Sequence, residues 1–221
     1  MLADGGRRQS SQTQRQAREA TGGSERRVGG TEEVEGPALE LGEPRTLLPP
    51  GAFGLTYFPD EGTSMISRPP QLRLVITALR STYLVEGVDW NHIASAVEVL
   101  RPGEHASFDN GYAGISAVVP VGNTLYGYYH AEDHENLPPL PGGIPGFYAS
   151  IGLATSTDGG HSWAKQGQVL TSSHPKTWQA YPDQGDRGAA EPGAVLTHDG
   201  SAILLYYTEH SRANGRAVDI G

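Results

Sequence analysis

The chain repeats itself, and the repeat limits what it can fold into. Asp109-Asn110-Gly111-Tyr112-Ala113-Gly114 leads into the apolar run 115–119, turns at Gly122-Asn123 and continues through 125–132, with Tyr128-Tyr129-His130-Ala131-Glu132 at its end. Seventy-seven positions later Asp186-Arg187-Gly188-Ala189-Ala190-Glu191 leads into 192–196, turns at Asp199-Gly200 and continues through 202–209, where Tyr206-Tyr207-Thr208-Glu209 stands. Each copy reads as strand, Gly-containing hairpin, strand, with β-branched and aromatic enrichment. A third strand is predicted over 148–156 and a fourth over 168–170. Four consecutive antiparallel strands make one propeller blade. An earlier, more worn unit has strands over 72–79, 82–86 and 97–100, with another around 52–57.

Composition agrees with short strands. Gly (30) and Pro (16) make up about a fifth of the 221 residues, and both break helix interiors. The chain has no cysteine, which excludes a disulfide scaffold, a thiolate metal site and a Cys nucleophile. A net charge of −9 argues against nucleic acid as a partner, because such binding needs a basic face. No apolar run approaches the ~20 residues of a membrane span. Residues 1–45 hold no Trp, Tyr, Phe or His. They are expected to be a disordered, low-complexity leader, unable to offset chain entropy by burial. Residues 46–221 carry every aromatic, with 9 basic and 17 acidic residues, so the acidity belongs to the folded part.

Inner strands of a propeller line its channel, so the repeat superposes Asp109 on Asp186 and Gly114 on Glu191 at one mouth. Convergent carboxylates suit glycoside hydrolysis, which needs a protonated acid and a carboxylate base or nucleophile. Like-charge repulsion between them keeps one protonated. His130-Ala131-Glu132-Asp133-His134-Glu135 ends a strand before the long Pro/Gly loop 136–146. There His130 or Glu132 is expected to contact a sugar. His134 with Glu132 or Asp133 could instead hold a cation, although no metal site is expected from the spacing. Tyr112, Trp178, Tyr181, Tyr129 and Tyr148 are candidate stacking platforms, with blade-to-blade packing as the alternative. No cofactor is called for.

Ser156-Thr157-Asp158-Gly159-Gly160-His161-Ser162-Trp163 resembles the Asp box, S/T-x-D-x-G-x-S/T-W, of sialidases and related propellers. Its role there is structural: Asp158 accepts turn hydrogen bonds, Gly160 permits positive φ and Trp163 buries its ring. With the strand-initial Asp and the Ala190-Glu191-Pro192-Gly193 start of a later blade, the chain resembles five-bladed propeller glycosidases of the arabinanase, xylosidase and fructosidase type. The resemblance implies an all-β fold of four-stranded blades and a carbohydrate substrate. It also implies that carboxylates of the first three blades act as base, pKa modulator and acid. Carried over by position, Glu191 is the general acid and Asp109 the base or modulator, with Asp60 or Glu61 as third carboxylate. Arg187, with Arg212 and Arg216, could bind a substrate carboxylate, as the arginine cluster of sialidases does. A non-catalytic carbohydrate-binding propeller and a sialidase-like exo-glycosidase remain the other readings. Two readable blades and half of a third make the propeller an expected fragment. Localisation is open, secreted or periplasmic if the resemblance holds.

Overall fold

The computed structural model describes residues 41–139, 143, 145–176, 187–210 and 219–220. The expected leader lies almost entirely outside them. Arg45–Gly221 forms one compact unit. Its first sheet is a meander of β1 (Ser64–Ser67), β2 (Leu72–Ala78), β3 (Ser81–Asp89) and β4 (His92–Leu100), hydrogen-bonded in that order. The second meander runs through β5 (Tyr112–Val121), β6 (Thr124–Asp133), β7 (Tyr148–Ser156) and β8 (Ala164–Thr171), each antiparallel to the one before. A third begins with β9 (Gly188–Leu196), β10 (Ile203–His210) and the short β11 (Asp219–Ile220). It joins the second by one parallel bridge, Ala149 to Gly188. Successive four-stranded antiparallel meanders stacked in chain order are the blades of a β-propeller.

Alternation decides what each strand buries. On β2, Leu72, Leu74, Ile76 and Ala78 face a layer with Val85 and Leu55, covered by Leu47, Leu48 and Phe58. Val75, from the other face of β2, joins Leu100, Ala113, Ile115, Tyr129, Ala131, Ala154 and Trp163 between the first two meanders. The β7–β8 turn also closes on that seam. Asp158 accepts from Ser156 Oγ, Ser162 N–H and Ser162 Oγ, and Trp163 donates its indole N–H to the Gly160 carbonyl. Gly160, at φ +93, leaves no room for a Cβ, which would come within 2.6 Å of Ile66 on the first meander.

One expected strand is absent. Residues 52–57 instead hold a single 3-10 turn, Ala52–Gly54. Gly51, Phe53, Gly54 and Tyr57 all have positive φ, which coils this stretch too tightly for the pleat of a strand. The first meander begins later, at β1.

The first strand of every meander carries a bulge. Ile66 is extra on β1 and Ser116 on β5, while Glu191 and Pro192 together stand opposite Tyr207 on β9–β10. Bulges re-aim side chains and concentrate beside functional sites.

Candidate functional site

Residues from the first two meanders meet at the bulged strand β5. The loop leading into β1 is anchored by Thr77, which is fully buried. Its Oγ1 accepts the backbone N–H of Asp60 (3.1 Å) and of Glu61 (2.6 Å). Glu61 then reaches two groups of the second meander. Ser116 Oγ, on the bulge, donates to Glu61 Oε2 at 3.1 Å. His130 Nδ1 lies 2.8 Å from Glu61 Oε1. The other ring nitrogen, His130 Nε2, lies 3.3 Å from Glu132 Oε1, and His134 Nε2 lies 2.6 Å from Glu132 Oε2. The result is a chain, Ser116–Glu61–His130–Glu132–His134, across the seam.

His130 is 5% exposed. Tyr112 meets it edge-on, with ring centres 5.4 Å apart, and Phe147 flanks both His130 and His134. Both His130 ring nitrogens lie close to carboxylate oxygens, without the alignment of a straight hydrogen bond. Burial alone would lower the imidazole pKa, but Glu132 and Glu61 outweigh it and push it up to about 10. Burial likewise opposes ionisation of Glu132, yet contact with His130 and His134 holds its pKa below the usual value. Burial pushes the Tyr112 phenol up. His134 fits only because Gly111 lacks a side chain; a Cβ there would lie 2.2 Å from the imidazole.

Asp60 differs from Glu61 and Glu132 in being exposed. Partial burial raises its pKa, the nearby Tyr112 hydroxyl opposes the rise, and the charges of Glu61 and Glu132 add to it. This carboxyl therefore combines access to solvent with a pKa moved toward neutrality.

Asp109 does not join this cluster. It is 2% exposed. Its Oδ1 accepts from Ser107 Oγ (2.8 Å), and its Oδ2 accepts from Tyr129 OH (3.1 Å) and Lys165 Nζ (2.5 Å). With both oxygens occupied in the core, it has no face left for a substrate, contrary to the expected role as base. His130 and Tyr112 are likewise buried rather than open to a sugar. His134 lies against Glu132, one of the two carboxylates it was paired with for a cation. Among the described residues no group of three His, Asp or Glu side chains is arranged to hold a metal ion.

Glu191 is exposed and accepts from Thr208 Oγ1 at 3.0 Å. Its φ of +54 is unusual for a residue with a Cβ, costs about 1–2 kcal/mol and is the kind of backbone outlier that clusters at functional sites. No bond among the described residues links it to Asp60 or Asp109. Arg187 is half-buried at the start of β9, and its carbonyl accepts the Ala149 N–H at 2.6 Å. Tyr129 is fully buried in the seam, and Tyr148 is 7% exposed with its hydroxyl on the His174 carbonyl. Trp178, Tyr181, Arg212 and Arg216 lie outside the described residues. Sequence reasoning missed Thr77 and Ser116, whose only signals were a hydroxyl in an apolar strand and a polar residue at a bulge.

No protein-family model matches the chain, and no curated protein matches it. Solved structures with a similar fold include an alpha-L-arabinofuranosidase from Lactobacillus brevis, at 15% identity and TM-score 0.46, covering 72% of this chain and 50% of that one. A glycoside hydrolase is similar at 12% identity and TM-score 0.48, covering 73% and 52%. A thermostable family-43 glycoside hydrolase is similar at 16% identity and TM-score 0.43, covering 72% and 52%. The chain thus spans about half the length of these structures.

Proposed function

We propose that the site hydrolyses glycosidic bonds in an oligosaccharide or polysaccharide by paired carboxylate chemistry. The observation that carries this reading is Asp60, an exposed residue whose carboxyl is raised in pKa beside the Glu61–His130–Glu132 cluster. Asp60 takes the role first expected of Asp109. A carboxylate whose pKa is raised is a stronger base toward an attacking water. Glu191 remains the general acid, on the bulge of the third meander's first strand, where its backbone is strained. The turn 156–163 is read as an Asp box, supported by the saturated bonding of Asp158, and it braces blades rather than reacting. The substrate is taken to be a carbohydrate without need of metal or cofactor.

One observation favours a second reading, a non-catalytic carbohydrate-binding propeller. Glu61, Glu132 and Asp109 are all engaged by protein groups, which leaves few carboxylates for chemistry. Aryl glycosides and a glycan array separate the two. Turnover that falls about 10²- to 10⁴-fold in both Asp60→Asn and Glu191→Gln, with circular dichroism unchanged, supports hydrolysis. Binding without turnover supports the second reading, and undiminished turnover in either variant removes that residue from the mechanism.

A further inference from the structure

We propose that His130 is a positioning residue, a buried imidazolium strap that ties the first-blade loop to the second blade and so fixes where Asp60 stands. Three observations support it. Both ring nitrogens face carboxylate oxygens, at 2.8 Å and 3.3 Å, from two different meanders. The ring is closed off by Tyr112 and Phe147 and has no access to substrate. Each strapped carboxylate is held at its second oxygen as well, Glu61 by Ser116 and Glu132 by His134.

The charges around the ring all bear on the strap. Glu61 comes from the loop before β1, Glu132 from β6, and His134 follows β6 and touches only the far oxygen of Glu132. Asp60 adds a third negative charge near the ring. Tyr112, on β5, is held neutral by burial. β9 begins beside Ala149 and brings Arg187 to the same end of the sheet. Two half-buried carboxylates beside one imidazole are better compensated when it is charged. Neutral His130 would leave Glu61 and Glu132 repelling each other across the seam. The loop would then move, and Asp60 is the next residue along it. The bond from Ser116 to Glu61 and the backbone bonds to Thr77 would remain to place it.

The importance of Asp60 rests on the proposed hydrolysis, but the strap does not, and the test separates them. The full chain, labelled with ¹⁵N at histidine, is followed by long-range ¹H–¹⁵N spectra from pH 5 to pH 11. The His130 signals are those lost in His130→Gln. At pH 8 they are expected to show both ring nitrogens protonated. In Glu61→Gln, which keeps His130 and serves if His130→Gln fails to fold, the midpoint is expected to fall by about one pH unit. A neutral His130 at pH 8, or a midpoint unmoved by Glu61→Gln, overturns the strap. Where both expected results appear but no glycoside is turned over, the strap stands and the hydrolase reading fails. Where turnover is found, Glu61→Gln is expected to displace the acid limb of its pH profile, and an unmoved limb overturns the positioning of Asp60.

Discussion

Adjacent residues of β6 serve opposite faces of one strand, and each face buries a carboxylate in a different way. Tyr129 points into the seam core, where Asp109 is locked by Tyr129, Lys165 and Ser107. His130 points the other way, to Glu61 and Glu132. On the first face the counter-charge is an ammonium, ordinarily charged at any physiological pH. On the second it is an imidazole, whose charge is sustained only by its surroundings. A Lys–Asp pair of this kind fixes structure. A His between two carboxylates can also respond to protons, and the exposed Asp60 lies beside it.

That contrast can be broken by substitution. The largest effect is expected from Asp109→Ala, which leaves Lys165 without its partner and strips Tyr129 and Ser107 of an acceptor. A loss of about 2 kcal/mol is expected from leaving the buried Tyr129 hydroxyl without its acceptor, read from urea unfolding. A loss below ~1 kcal/mol would show that Asp109 is not a core lock.

The second face should answer to pH. The pKa of His130 is raised in the folded chain to about 10 from an unfolded value near 6.5. Its stabilising contribution is therefore complete below about pH 6.5 and is lost as pH rises through about 10. Urea midpoints should fall over that window in the parent chain and fall less in His130→Gln. Equal slopes would remove the distinction between the faces.

The smallest expected effect is that of Tyr129→Phe. It deletes one hydrogen bond to Asp109 while the ring stays packed, at a cost of about 1 kcal/mol. Hydrolysis, if present, should be unaffected, because this face does not reach the site.

Much of the architecture was legible in advance. The 77-residue repeat placed β5, β6, β9 and β10, and the expected third strand, 148–156, coincides with β7. Strand patterning is local, so sequence carries it. The stretch 52–57 failed because Phe53 and Tyr57 sit at positive φ, which their β propensity does not reveal. The site was less legible. His130 and Glu132 were singled out and do belong to one cluster, although as buried partners rather than sugar contacts. Asp109 looked like a strand-initial channel residue, yet Lys165, fifty-six positions away, claims it.

The sequence by itself determined most of the strands from β2 onward, their turns and the opposite orientation of Tyr129 and His130, because these follow from the period of two and from Gly-containing hairpins. Only the tertiary structure decided which carboxylate meets which cation. Glu61 reaches His130 and Asp109 reaches Lys165 through contacts between distant parts of the chain. Such contacts depend on how two meanders stack, and charge alone does not specify a partner among so many acidic residues.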